Sequence, residues 1–511
     1  MDKCYKRFDK AKRKILKNKN NKKYKNNKYI TKIKIQSEIN KVNSIRKHLI
    51  KNKGTFIEQD SKEKIKTTTH NKNSLLNEIN LLLNNDFSKN ESHFKQAHYF
   101  LNLIILFMKF IFLFCKYNQI NFFSKISEVT LKIKATKNVT ILSDDFFQRY
   151  KPYEIYINDS RYDNITNHYD FNDSGNITIK IKWNNTINNT ESMFRSCDKI
   201  IKIDLSNFNT SLVSNMSRMF YNCSSLISLN LSNFNTSNVK EMNRLFVRCT
   251  SLSSLDLSNF DTSQVTDMYL MFFECLNLNI LNISNFKTSN VKCMFRMFYY
   301  CISLNSLNIS NFDCSQVTDM SSMFDNCRSL VSLNLSNFDA SQVTNMNNMF
   351  YSCSKLESID LTNFNTSKVK SMSNMFGTCK MLKELNLSSF DISQVTTMKS
   401  MFSNCEKLIS LNLSNFKTSR VNDTSQMFIN CFLLESLDLS HFDTSNVANA
   451  SLTFAYCKSL ISLNLSNFNT SKANNMSCLF YGCSKLFLLD ISNFNTSIAT
   501  EMNHMFGDVL H

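Results

Sequence analysis

The sequence is poor in the residues from which phosphate-binding loops and most hydrolase motifs are built. It contains five glycines and one proline among 511 residues, so a loop whose backbone closely approaches a cofactor is not expected. The motifs G-x-S-x-G and H-E-x-x-H do not occur, and no C-x-x-C pair supplies half of a zinc site. These shortages predict a protein that is not an enzyme and that uses no cofactor or metal ion.

The positive charge of the chain is concentrated at its N-terminus. The net charge is +19, and residues 1–95 hold 26 Lys and Arg against 9 Asp and Glu. We expect this lysine- and asparagine-rich segment to be a largely disordered tail. There are two alternatives. The segment could be an arm that binds lipid, or it could be a tail for nuclear targeting or nucleic-acid binding. The rest of the chain is close to charge balance, so no nucleic-acid partner is expected.

Most of the chain is one sequence of 26 residues, repeated about twelve times. A cysteine recurs every 26 residues from Cys197 to Cys483, and a phenylalanine does so from Phe194 to Phe506. Self-similarity at such a period is typical of solenoids, in which each copy packs only on its neighbours. Residues 193–511 are therefore predicted to form a solenoid.

One copy of the repeat shows two kinds of periodicity. Leu333 and Leu335 alternate as in a β-strand. Ser341 is serine in all twelve copies and is suited to cap a helix N-terminus. Apolar residues then follow at the spacing of one helix face: Val343, Met346, Met349, Phe350 and Cys353. The predicted fold class is α/β, a leucine-rich-repeat-type solenoid of strand–turn–helix repeats.

The consensus L-x-L-S-N-F-[DN]-T-S-x-V-x-x-M-x-x-M-F-x-x-C-x-x-L resembles that of a known repeat family. It is similar to the 26-residue repeats of bacterial surface proteins related to BspA-like leucine-rich repeats. The resemblance covers residues 190–511. It implies a cell-surface protein that binds host or partner molecules.

Residues 99–115 form an apolar run, YFLNLIILFMKFIFLFC. Its length is at the lower limit for a membrane helix, and we predict a transmembrane or signal-anchor segment. With the basic tail inside, the positive-inside rule places the repeats outside the cell. One alternative is translation from Met108 with secretion of the product. Another is an intracellular protein whose apolar run is buried.

Residues 121–192 lie between this run and the repeats. Val129, Leu131 and Ile133 alternate with polar residues, and a second alternating run ends at Trp183. Both runs predict β-strands. Because the first copy of a solenoid needs a cover for its apolar face, we expect residues 121–192 to form a small β-rich cap.

A column of Asn and Asp side chains is the candidate binding surface. One such residue lies between the last two apolar strand positions of every copy, so its side chain should point outward. The twelve residues are Asp204, Asn230, Asp256, Asn282, Asn308, Asn334, Asp360, Asn386, Asn412, Asp438, Asn464 and Asp490. Hydrogen bonding along the sheet is the structural alternative to binding of a protein or glycan.

These features together predict a non-enzymatic, surface-displayed binding or adhesion protein. Its partners would be a protein or glycan on the strand side of the solenoid and a membrane at residues 99–115. The alternative is an intracellular scaffold that mediates protein–protein interaction through the same solenoid.

Overall fold

The computed structural model describes residues 127–172, 175–335 and 337–509. The predicted tail (1–95), the apolar run (99–115) and the start of the predicted cap (121–126) lie outside them. The elements that precede the repeats are β1 (Ser127–Lys134), β2 (Val139–Thr140), α1 (Asp144–Arg149), β3 (Glu154–Ile157), β4 (Ser160–Tyr162), β5 (His168–Tyr169) and β6 (Asn176–Trp183).

The strands before the repeats form a sheet that continues into the first two copies. The two alternating runs of the sequence are β1 and β6, which pair antiparallel. β1 also pairs antiparallel with β7 (Ile200–Asp204), and β7 pairs parallel with β8 (Ser228–Asn230). The sheet order is therefore β4-β3-β6-β1-β7-β8, and the apolar side of β1 is fully buried.

The remaining strands come one from each of nine further copies. They are β9 (Ser254–Asp256), β10 (Ile280–Asn282), β11 (Ser332–Asn334), β12 (Ser358–Asp360), β13 (Glu384–Asn386), β14 (Ser410–Asn412), β15 (Ser436–Asp438), β16 (Ser462–Asn464) and β17 (Leu488–Leu489). Pairing is parallel and in register, so that Leu333 lies beside Ile359, 26 residues later. Residues 306–308 of the intervening copy are not assigned to a strand.

The prediction of a helix in every copy is wrong, because the solenoid is built of strands, bridges and turns. Among the described residues the one α-helix is α1, which precedes the repeats. Where the helix was expected, parallel bridges join successive copies at twelve consecutive steps, from Asn189–Asn215 to Asn475–Glu501. Ser341 caps no helix; its backbone N–H donates to Asp339 Oδ1 at 2.9 Å.

The backbone hydrogen bonds explain why helical spacing occurs without a helix. The N–H groups of Asn348 and Phe350 donate to the next copy, to Ser373 O (2.9 Å) and Met375 O (2.9 Å). Asn348 also has a φ of 56°, in the left-handed region that interrupts a helix. Short turns lie between these N–H donors, and each turn directs a side chain into the core again after three or four residues. The apolar side chains therefore recur at the same spacing as on one face of a helix. We call residues 345–353 and their equivalents the turn segment.

Two columns of phenylalanine fill the core. The thirteen residues from Phe194 to Phe506 stack on one another with ring centroids 5.3–5.9 Å apart. A second column includes Phe312 and Phe338, whose centroids are 6.2 Å apart. The buried Trp183 packs edge-on against Phe208, in this second column, at 5.8 Å. The last residue of β6 thus covers the first ring of the column.

The predicted single-pass membrane localisation needs correction. Across residues 127–172, 175–335 and 337–509, no helix has the length and apolarity needed to cross a membrane. This finding overturns that localisation. Residues 99–115, from which it was inferred, lie outside the described part of the chain.

Candidate binding face

The structure places the predicted Asn and Asp column on the outside of the strands. Each residue ends a strand or holds the equivalent position, between two apolar neighbours that are buried or half-buried in every copy but the last, where Ile491 is exposed. Eleven of the twelve side chains are exposed, and Asn282 is half-buried. The residues are therefore brought together into one outward column, 26 residues apart in sequence.

Each of these side chains also has a local structural role. In eleven of the twelve copies, Oδ1 accepts the backbone N–H two residues later, at 2.9–3.3 Å. Such an Asx turn ends the strand and starts the following turn. The same backbone N–H holds the pKa of Asp256 and Asp360 below the ordinary aspartate value. Contacts along the sheet also occur, as from Asn230 Nδ2 to Asp204 Oδ1 at 3.0 Å.

The outward column beside it is mostly serine. Ser228, Ser254, Ser332 and Ser358 are the first residues of their strands and are exposed. Other copies place longer exposed side chains there, including Lys202. The strand side therefore presents two adjacent columns of small polar groups, in which charged substitutions are structurally tolerated. We call these two columns the strand face.

Polar side chains at two other repeated positions, those of Thr288 and Asn311, hold neighbouring copies together. The buried Thr288 donates from Oγ1 to Asp313 O (2.9 Å) and accepts the N–H of the same residue (2.8 Å). Asn311 donates from Nδ2 to Ser284 O at 2.8 Å. These hydrogen bonds supply partners for backbone N–H and C=O groups in the turns that follow the strands, where the sheet provides none.

The cysteine column is a structural feature of the core. All twelve ladder cysteines are free and buried. In eleven of them, from Cys223 to Cys483, Sγ donates to a phenylalanine carbonyl of the preceding copy at 3.1–3.2 Å. Burial raises the pKa of thiols such as Cys353. Within the described ranges, no group of three or more His, Cys, Asp or Glu side chains could hold a metal ion.

We expect these thiols to resist alkylation in the folded protein, because the thiolate is the reactive form and burial suppresses it. Treatment with iodoacetamide at neutral pH should modify the half-buried Cys293 and Cys478 before any ladder cysteine. Mass spectrometry of digests, with and without denaturant, measures this order. Rapid modification of Cys353 in the native chain would show that the column is accessible.

Comparison with known proteins now assigns the family. The family model described as "Mycoplasma protein of unknown function, DUF285" matches residues 163–279, 227–331, 300–412, 326–435 and 405–511. The chain belongs to this family. Comparison with curated proteins found no match for this DUF285 chain. The specific resemblance to BspA-like repeats stays a prediction.

One solved structure similar to the DUF285 chain is described as the functional domain of InlJ from Listeria monocytogenes, which includes a cysteine ladder. The identity is 14% and the TM-score 0.21, over 71% of this chain and 65% of that one. The match therefore covers less than two thirds of the InlJ chain. A similarity of this size carries no argument about fold or function, and the solenoid rests on the bridges and columns described above.

The copies of the DUF285 chain differ locally in a way that their consensus does not show. Between Arg244 and Tyr300, aromatic and arginine side chains replace the serines and asparagines of the turn segment. The signal was present in the sequence. It becomes visible when residues 26 apart are compared position by position instead of being reduced to a consensus.

Proposed function

We propose that this chain is a non-enzymatic binding protein that recognises a protein or glycan through the strand face. The observation that carries the proposal is the outward Asn and Asp column, repeated in twelve copies and exposed in eleven. One oxygen of each side chain is used by the Asx turn in eleven copies. The second polar atom of the exposed side chain, Nδ2 or Oδ2, can contact a ligand where it does not bond along the sheet as Asn230 Nδ2 does.

The regularity of the strand face favours an extended ligand over a small molecule. Parallel strands lie about 4.8 Å apart, so equivalent groups recur at that interval along the stack. A partner with many weak contacts matches such a surface better than a compact metabolite, which needs a concave pocket. Adhesion is the form of binding that the resemblance to BspA-like repeats favours.

Paired lysine substitutions test the proposal. Ser332→Lys with Ser358→Lys places two bulky charges on the strand face, at positions equivalent to the exposed Lys202. Thr318→Lys with Thr344→Lys is the matched control, because Lys292 is exposed at the equivalent position off the strands. Both variants should fold, since the chain already carries lysine in each column.

The labelled full chain would be screened on a glycan array and against a displayed library of random peptides. We expect ligands whose affinity falls by about tenfold or more with the strand-face variant and is unchanged with the control. Ligands that bind wild type and the strand-face variant equally would place recognition elsewhere. Absence of ligands in both formats would contradict the proposed function itself.

A further inference from the structure

Two adjacent copies carry an aromatic cluster on the turn segment. Tyr269 and Phe295 occupy a position that is serine in other copies, for example Ser321 and Ser373. Four residues further along the same segments lie Phe273 and Tyr299. Together with Arg244 and Arg296 these four rings form what we call the aromatic patch.

The rings and guanidinium groups of the patch pack on one another in an ordered way. Ring centroids are 5.4 Å apart for Tyr269 and Phe295, and 4.8 Å apart for Phe273 and Tyr299. Arg244 lies 4.6 Å above the ring of Tyr269. Arg296 lies 4.8 Å from the ring of Phe295 and 4.9 Å from that of Tyr299. All six side chains are half-buried, so each keeps some surface open to solvent.

The solenoid does not require these side chains. The same backbone conformation occurs where the turn segment carries Asn348 or Asn374 in place of the arginines, with φ of 56° at both. Aromatic residues with arginine are also the composition enriched in protein interfaces and in their hot spots. The patch therefore has a composition suited to recognition and no evident need in folding.

The charges of the patch favour an acidic partner. Four carboxylates of the region are already engaged by the chain: Asp267 with the N–H of Tyr269 (2.9 Å), Asp319 with the N–H of Ser321 (2.8 Å), Glu274 with Arg248 (2.7 Å) and Asp325 with Nδ2 of Asn326 (2.8 Å). The ion pairs of the described residues do not include Arg244 or Arg296. Asp267 and Asp325 interact electrostatically with Arg244 and Arg296, respectively, but neither pair forms a direct ion pair. The two guanidinium groups are therefore held mainly by rings, and carboxylates are the groups they pair with best.

We propose that the aromatic patch binds a protein segment that presents a carboxylate next to an aromatic or large aliphatic side chain. The carboxylate pairs with Arg244 or Arg296, and the apolar side chain packs on the ring edges. A glycan fits less well, because other rings and guanidinium groups already pack on Tyr269, Phe295 and Tyr299, where a sugar would stack. The site is additional to the strand face and rests on the proposed function only in that both make the chain a binding protein.

The test uses a patch variant in which four residues are replaced by those that other copies carry at the same positions. The substitutions are Arg244→Asn, Tyr269→Ser, Phe295→Ser and Arg296→Asn. The control, Arg218→Asn with Lys399→Ser, changes the same two positions in copies outside the patch. Wild-type full chain would be panned against a displayed library of random peptides. Enriched peptides would then be synthesised and their affinity for each variant measured by fluorescence polarisation. Denaturation midpoints would confirm that the variants are folded.

We expect enriched peptides to carry Asp or Glu beside Phe, Trp or Leu, and to bind the patch variant about tenfold more weakly or worse. Binding should weaken at high salt and be unchanged in the control. The Ser332→Lys with Ser358→Lys variant should retain these peptides, which separates the patch from the strand face.

Several results would overturn the inference. The inference would be overturned by peptides that bind the patch variant as tightly as wild type. It would also be overturned if panning enriched no peptide from the library. Glycans whose array binding is lost in the patch variant would identify a glycan site instead. Self-association of wild type that is abolished in the patch variant would identify a second copy of the chain as the occupant.

Discussion

Replacement of Phe350 by alanine is expected to destabilise the solenoid by about 3–5 kcal/mol, the usual cost of removing a buried phenylalanine ring. The ring is fully buried and stacks on Phe324 at 5.6 Å and on Phe376 at 5.5 Å. Because stability in a repeat array resides in the contacts between neighbours, the loss should be concentrated in the copies on either side. Urea denaturation and hydrogen exchange of the full chain measure both effects.

The matched control is Phe506→Ala, in the same column. Phe506 is 45% exposed and has one stacked neighbour, Phe480, at 5.5 Å. Its loss should cost less than half as much, and the increase in exchange should be confined to the copies next to it. Equal effects of the two substitutions would show that the column does not carry the stability assigned to it.

Replacement of Asp325 by asparagine is expected to stabilise the protein at alkaline pH. Burial raises the pKa of Asp325 to about 6, whereas an unfolded aspartate has a pKa of about 3.9. The folded state therefore holds the proton more tightly than the unfolded state. The stability that the protonated carboxyl group contributes is fully present below the unfolded pKa. It is lost as the pH rises through the folded pKa. Above pH 6 the buried carboxylate costs about 3 kcal/mol.

Urea denaturation of wild type and Asp325→Asn at pH 4 and pH 8 tests this. The variant should be more stable by about 3 kcal/mol at pH 8 and close to wild type at pH 4. Asp313→Asn is a control of opposite sign, because hydrogen bonds from Ser315 lower the pKa of Asp313. That carboxylate stabilises the fold at pH 8, and its loss should destabilise. A less stable Asp325→Asn at pH 8 would show that the buried charge is favourably paired.

The period of the sequence was enough to predict a solenoid, and the alternation of Leu333 and Leu335 was enough to predict its strand. Neither pattern was enough to distinguish a helix from a series of turns in the rest of the copy. Both place Met346, Met349 and Phe350 on one buried side, and the difference lies in whether backbone N–H groups bond within the copy or to the next one. Only the hydrogen bonding between copies distinguishes the two structures. The apolar spacing within one copy carries no information about that bonding.

The candidate binding residues show a similar limit. The outward direction of residues such as Asn230 followed from strand alternation, and the structure agrees. Their Asx turns were readable in principle, because a serine follows two positions later and its N–H is the natural partner of the side-chain oxygen. The aromatic patch was not found because a consensus averages away Tyr269 and Phe295, which occur in two copies only.

The turn segment is a series of turns with left-handed residues and not a helix. The most direct measurement compares the unfolding free energies of Asn348→Gly and Asn348→Ala in the full chain. At a φ of 56°, alanine is disfavoured, so the glycine variant should be more stable by about 1–2 kcal/mol. In a helix the order is reversed, with alanine favoured by about 1 kcal/mol. A more stable Asn348→Ala would contradict the account.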